Sequence, residues 1–558
     1  MPAFMRLILN RGLIFLISIL TISPKPGFTQ TCTPEFILSP VGSNNTIEWD
    51  KFPEFSLPFT IIYNGPRFGD DASRPLKHGF SHLANFSGSE PSTLPVSKRA
   101  LLWNSVASID GSDQPWSVIG LESPWGNDTT LYRNHWAQYL GLLANSFDDS
   151  RTSGIPRADI ICLDVERMHE LDRDILALKN NDRIPQGYRN LADNTFLKTY
   201  QADIRWWYTE SARYLRNLGL PSSTKLTSYS DVPVRGTWLN IPSNSWQDWT
   251  TNPQRTHYLM QNEAGNIGGT FYEQMDFLTP SAYYFYPYEN PLGKEYLAYL
   301  LFQIEVNRAW SSKDIIPFVW LRYHNSFSPG SPMIPAFMAE ATAIFPFFSG
   351  AKGLWLWENN FYENNEQQNY ATYEHFIYGL YRLSRYADMF QGDYELVIPQ
   401  SARDHMEQRN PIWRGVVKDG KILIAAQNTY ATESQQTSLT LTYKQWTKTI
   451  NLNGHEVLLC QFDLSDVVSS LDSSLALTSV FPNPTQRTIF VNLTSRSTQS
   501  EILFELIDLK GTVLKTLTSN TSVGDSRYRF DLPVVPRGTY LLRVSSESSS
   551  ITRHIFIE

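Results

Sequence analysis

Asp164 and Glu166 stand two residues apart, directly after the apolar run Ile160-Ile-Cys-Leu163. On an extended strand, positions i and i+2 project to the same face, so the two carboxyl groups are expected side by side. Like charges at that separation favour protonation of one member, which raises its pKa. A protonated carboxyl beside an anionic one suits acid-catalysed cleavage of a glycosidic oxygen. The plain alternative is a solvated turn running on into Arg167-Met-His-Glu170. The buried run in front of the pair argues for chemistry instead.

The elements that would position this pair recur along the chain. Between about residues 50 and 390, eight apolar runs alternate with longer amphipathic stretches. The runs are Phe59–Tyr63, Arg99–Trp103, Trp116–Leu121, Asp159–Asp164, Lys225–Tyr229, Phe277–Tyr283, Ile316–Leu321 and Lys352–Trp357. Near-continuous apolar strands separated by helices predict a parallel sheet covered on both faces. Eight of them predict a (β/α)8 TIM barrel with insertions. An open doubly wound sheet would carry a glycine-rich phosphate loop after its first strand, and Asn64-Gly-Pro-Arg-Phe68 is no such loop.

Reacting groups of such a barrel lie at the carboxyl ends of its strands. Read in order, those ends offer Asn64, Glu122, the Asp164/Glu166 pair, Tyr229 with Asp231, Tyr283 with Tyr284, Trp320 with Arg322, and Trp357 with Glu358. Asp164, Glu166, Tyr283 and Tyr284 are the catalytic candidates; Asn64, Glu122, Tyr229, Asp231, Trp320, Arg322, Trp357 and Glu358 are candidates for substrate contact. One of the adjacent tyrosines should face the interior and hydrogen-bond a substrate carbonyl, the other packing outward. Trp355 and Trp357 share one strand face, and Trp357 at the end is placed to floor a sugar subsite.

Composition narrows the partner. The formal net charge is −8 and long Lys/Arg runs are missing, which argues against nucleic acid. Three widely spaced cysteines, Cys32, Cys162 and Cys460, predict neither a disulfide framework nor a metal site, and no cofactor motif is present. Aromatic residues make up 13% of the chain, with 16 Trp and 28 Tyr, many beside Asn, Asp and Pro. Flat rings with a polar handle suit the apolar faces and hydroxyl rims of sugars.

At the front, Arg6 and Arg11 precede the apolar run Leu13–Ile22, and a turn-rich Ser23–Gln30 follows. This pattern predicts a cleavable secretory signal over residues 1–30 rather than a membrane span. No later stretch is apolar enough to span a bilayer, so the mature chain is expected to have no integral membrane segment. Behind the barrel, 31–390, the period changes to two. Alternating runs with Asp-Gly and Asn-Gly turns predict a β-sandwich at 391–466. A Ser-rich connector, 467–474, leads to a second all-β sandwich at 475–558.

That last segment opens with Phe481-Pro-Asn-Pro-Thr485 and carries Ile507-Asp-Leu-Lys-Gly-Thr-Val513, Arg537-Gly-Thr-Tyr-Leu-Leu-Arg-Val544 and a basic terminal strand. It resembles the C-terminal sorting domain of type IX secretion cargo from Bacteroidetes. The resemblance implies handling by that secretion machinery and passage across the outer membrane. The barrel resembles the hyaluronidases through Pro58-Phe-Thr-Ile-Ile-Tyr-Asn64, the Asp164/Glu166 pair, Tyr283-Tyr-Phe-Tyr-Pro287 and Gly350-Ala-Lys-Gly-Leu-Trp-Leu-Trp357. By that resemblance Glu166 is the general acid and Asp164 steers the substrate's own acetamido group onto the anomeric carbon. Tyr283 or Tyr284 hydrogen-bonds that group, Trp357 lines the subsite, and no protein nucleophile is needed. The chain departs from the family at Val165, Arg167 and Met168, where a tryptophan is usual. The expected function is a secreted glycoside hydrolase; the alternative is a non-catalytic glycan-binding or adhesive surface protein.

Overall fold

The computed structural model describes residues 32, 38, 46–66, 73–84, 93–103, 129–146, 155–164, 170–182, 184–235, 237, 240–358, 370–464, 475–495, 499–508, 511–546 and 550–558. The predicted signal segment, the connector, and the predicted strand Trp116–Leu121 lie outside them.

Parallel pairing links the N-terminal strands in turn. Strand β1 (Thr60–Asn64) pairs with β2 (His82–Leu83) on one side and with β9 (Gly353–Trp357) on the other. A parallel bridge from Leu83 to Arg99 leads to β3 (Ala100–Trp103), which pairs with β4 (Ile160–Leu163), which pairs with β5 (Lys225–Ser228). The Tyr229–Thr279 bridge leads to β6 (Phe277–Leu278), which pairs with β7 (Asp314–Ile315). Beyond Pro317, which has no N–H to give a ladder, β8 (Phe318–Trp320) pairs with β9. The register Ala100↔Ile160 joins β3 directly to β4. One strand was not expected: His82–Leu83, next to β1, is two residues long and too short to show a period.

Alternation along these strands creates two interiors. Ile62, Ala100, Ile160, Cys162, Phe277, Phe318 and Trp355 share one apolar cluster inside the circuit of strands. Residues of the other parity, such as Ile61, Tyr63, Leu354 and Leu356, pack against the helices Tyr296–Trp310, Ala336–Phe348 and Ala371–Ser384. Leu101, Ile161, Leu163 and Leu226 do the same against the helix Asp193–Asn217. Burial on both faces is why these strands read as continuous apolar runs.

Antiparallel structure follows. β10 (Glu395–Val397), β11 (Ile412–Lys418), β12 (Lys421–Gln427) and β15 (Leu458–Asp463) form one sheet, faced by the hairpin of β13 (Gln436–Tyr443) and β14 (Trp446–Asn453). Asp419 and Gly420 both have positive φ (50° and 72°), the conformation a two-residue hairpin turn with matching twist requires. One face of the sheet packs on the hairpin through Ile422, Ile424, Leu441 and Leu452. The other joins the core of the preceding helices through Val416, Leu423, Ala425 and Leu459. Across this seam Glu305, 3% exposed at its side chain, accepts from Arg414 Nε (3.0 Å) and Nη2 (2.8 Å), from Ser349 Oγ (2.8 Å) and from the Ala402 amide (2.9 Å). His405 sits 3.2 Å from Arg414; burial first, then the Arg414 charge, pushes its pKa down to about 4. The helix Ala402–Gln408 and strand β14 were not foreseen. Ser401 accepts the Asp404 amide as the N-cap of that helix.

Cys32 and Cys460 form a disulfide across 428 residues of sequence, a single cross-link that the expectation of no disulfide framework did not foresee. The remaining strands are β16 (Leu475–Phe481), β17 (Thr488–Ser495), β18 (Gln499–Ile507), β19 (Val513–Thr521), β20 (Gly524–Asp531), β21 (Gly538–Ser545) and β22 (Ser550–Ile557). They make two antiparallel sheets, β16-β17-β20 and β19-β18-β21-β22, around one core. Strict in–out burial along Thr488–Ser495 puts Ile489, Val491 and Leu493 inside. Among the described residues, no helix is long and apolar enough to cross a membrane.

Candidate active site at the carboxyl ends of the parallel strands

Asp164 follows β4 and extends its ladder, donating its amide to the Trp103 carbonyl at 3.1 Å. It keeps the parity of Ile160 and Cys162, both inside the strand circuit. Its charge is felt there: burial raises the Cys162 thiol pKa well above its ordinary value, and Asp164 adds to the shift. Unlike those residues, Asp164 is partly exposed. Glu166 and Glu122 lie outside the described residues.

Next to Asp164, the Tyr229 amide donates to the Leu163 carbonyl at 2.7 Å, which fixes Tyr229 at the end of β5. Its hydroxyl donates to Ser281 Oγ at 3.0 Å. From Tyr229 an aromatic wall runs across the strand ends. Tyr283 lies 5.9 Å from Tyr229 between ring centroids, stacks on Trp357 at 5.6 Å and meets Trp320 edge-on at 5.6 Å. Trp320 and Trp357 meet edge-on at 4.8 Å. These spacings fall in the favoured range for aromatic pairs. Tyr283 and Trp320 are buried, while Tyr229 and Trp357 remain partly exposed, so the wall offers ring faces with a few polar atoms.

The adjacent tyrosines part as expected. Tyr283 joins the interior cluster, whereas Tyr284 packs outward against Tyr296, its hydroxyl 2.6 Å from Thr342 Oγ1. Burial raises the Tyr284 pKa far above its ordinary value. Its assignment as a catalytic candidate is corrected accordingly: the hydroxyl is engaged with the helix Ala336–Phe348.

Four further candidates are buried in structural networks. Glu358 accepts from Arg322 Nε on both oxygens (3.0 and 2.8 Å), from Trp320 Nε1 (3.0 Å) and from the Tyr373 hydroxyl (2.7 Å). Both side chains of the Glu358–Arg322 pair are 0% exposed, so neither reaches a ligand in this arrangement. Instead the pair orients Trp320 from behind. Asp231, also 0% exposed, accepts from Ser228 Oγ at 2.7 Å and lies 3.4 Å from Arg235. Asn64 is buried, and its carbonyl accepts the Glu358 amide at 2.9 Å. What the residue-by-residue reading missed was Tyr373, carried on a helix, whose signal was only helical periodicity. Among the described residues, no cluster of three or more His, Cys, Asp or Glu could hold a metal ion.

Comparison with known proteins decides the far end of the chain. Residues 479–558 match the family described as the secretion system C-terminal sorting domain. The tail is a type IX sorting domain. It marks the protein as exported, to the cell surface or into the medium. No curated protein matches the sequence. Among solved structures, bee venom hyaluronidase is similar at 13% identity and a TM-score of 0.39, covering 58% of this chain and 99% of that one. Its complex with a hyaluronic acid tetramer gives 14% and 0.38, covering 58% and 98%. The endo-beta-1,4-mannanase from Thermotoga petrophila gives 11% and 0.29, covering 82% and 78%.

Proposed function

We propose that this protein is an exported glycoside hydrolase whose site lies at the carboxyl ends of β4 to β9. The circuit of parallel pairings is read as a (β/α)8 barrel over residues 31–390, preceded by a signal segment at 1–30 and completed by the sandwich at 391–466. One observation supports the function most: a partly exposed carboxylate, Asp164, stands beside an aromatic wall of Tyr229, Tyr283, Trp320 and Trp357. Rings bind the apolar faces of a sugar, and a carboxylate there stabilises positive charge developing at the anomeric carbon.

In the fuller reading, Glu166 protonates the leaving oxygen and Asp164 orients an acetamido group that attacks in place of a protein nucleophile. Tyr283 donates its hydroxyl to that group, and the substrate is an N-acetylhexosaminide-containing glycan. Burial of Glu358 against Arg322 supports this over a mechanism with Glu358 as nucleophile, because its lone pairs are already engaged.

An activity screen of the secreted protein tests the reading. Chitin oligomers, hyaluronan, chondroitin and neutral mannans would be assayed for new reducing ends. Release from an N-acetylhexosaminide glycan supports the full proposal, and release from mannan alone removes the substrate-assisted step. Glycan binding with no release from any of them would favour a binding protein.

A further inference from the structure

A cavity lies on the loop side of the strands, lined in part by Tyr284, Phe285 and Tyr286, which directly follow Tyr283 of the aromatic wall. Its volume is about 540 Å³, within the range of small-molecule sites. Phe285, Tyr286 and Tyr299 supply ring surfaces, and Glu295, Glu407 and Arg409 supply charge. Arg409 comes from the helix Ala402–Gln408, which belongs to the antiparallel part of the chain, so the cavity is completed only where that part docks.

Two features set this cavity apart from a packing gap. The first is continuity with the candidate active site. Ring centroids step from Trp357 to Trp320 (4.8 Å), to His324 (6.4 Å), to Phe285 (5.1 Å), to Phe327 (6.2 Å) and to Tyr286 (4.9 Å). Trp320 is buried (5% exposed), whereas Phe327, stacked on Tyr286, is 46% exposed.

The second feature is the backbone at Arg409. It caps its helix in the left-handed conformation (φ 52°, ψ 42°), which disfavours a side chain with a Cβ and favours glycine. Arginine there costs about 1 kcal/mol and aims a guanidinium, 58% exposed at its side chain, at the cavity. Its Nη2 stops 3.7 Å from Glu295 Oε1, longer than a hydrogen bond, so the guanidinium can donate to a hydroxyl or carboxylate of a ligand and Glu295 can accept from a hydroxyl.

We infer that this cavity is a distal subsite for the same glycan, holding sugar units several residues along the chain from the cleaved bond. The occupant is therefore a polymeric or long oligomeric glycan rather than a free disaccharide. This rests on the glycoside hydrolase reading above. It adds that the sandwich at 391–466 helps to select the substrate by chain length.

Affinity gel electrophoresis with the Glu166→Gln full-length protein tests it, with hyaluronan, chondroitin, glycol chitin and galactomannan in the gel. Arg409→Gly relieves backbone strain while deleting the guanidinium, and Tyr286→Ala deletes a ring from a half-exposed position. Each should weaken retardation by the bound polymer about tenfold, and the loss should shrink for the matching disaccharide measured by saturation-transfer NMR. Equal polymer retardation for both variants and the parent would overturn the inference while leaving hydrolysis at the strand ends intact. Polymer bound through Arg409 and Tyr286, yet cut by no form of the protein, would uphold the subsite and defeat the hydrolase reading. Retardation by none of the four polymers would overturn both.

Discussion

Asp164 and Glu358 are carboxylates in matching places, one residue past the carboxyl ends of β4 and β9, yet their surroundings differ completely. Glu358 is fully buried and accepts four hydrogen bonds from Arg322, Trp320 and Tyr373. Asp164 is partly exposed and stands where the aromatic wall begins. Position in the fold nominates a carboxylate for chemistry, but burial decides whether a substrate can reach it. Glu305 at the seam belongs with Glu358, since Arg414, Ser349 and the Ala402 amide already engage it.

Removing one partner of the buried pair should have the largest effect on folding. Arg322→Met leaves the Glu358 charge buried without its guanidinium and is expected to cost about 3–5 kcal/mol, read by urea denaturation. A loss under about 1 kcal/mol would mean that the two carboxylates are not so different. Asp164→Asn should do the reverse: unfolding midpoint unchanged, with kcat/KM on the best substrate down about a hundredfold or more.

The seam adds a pH test. The folded pKa of His405 lies near 4, below the ordinary histidine value of 6.5, so the unfolded chain binds the proton more readily. Stability present above pH 6.5 is then lost as pH falls toward 4, by a few kcal/mol at most. His405→Gln should flatten that part of the stability–pH curve; an unchanged slope would place the titration elsewhere. Smallest is the contrast of the neighbouring tyrosines. Tyr284→Phe forfeits the Thr342 hydrogen bond for about 1 kcal/mol of stability and leaves kcat alone, whereas Tyr283→Phe lowers kcat with little effect on melting.

Much of this was legible in the residues, for identifiable reasons. Strands buried on both faces must be apolar throughout, so Ile160–Leu163 and Gly353–Trp357 announced themselves. The alternating tail strands were equally plain, because Thr488–Ser495 buries every second residue. His82–Leu83 was not legible, since two residues carry no period. Nor was the Cys32–Cys460 bond, because spacing holds no signal across 428 residues. Strand-end position made Arg322, Asp231 and Glu358 look like ligands; only the side chains packed against them reveal that their hydrogen bonds are spent internally. For Tyr283 and Tyr284, the alternation foretold one in and one out but not which.

The central claim is that the strand ends near Asp164 cleave glycosidic bonds with Glu166 as the acid. Reducing-end release by the full-length protein and by Glu166→Gln, on whichever glycan the screen identifies, tests it most directly. The account predicts a fall of about a thousandfold or more in the variant with an unchanged melting temperature. Comparable release by the two proteins would contradict it.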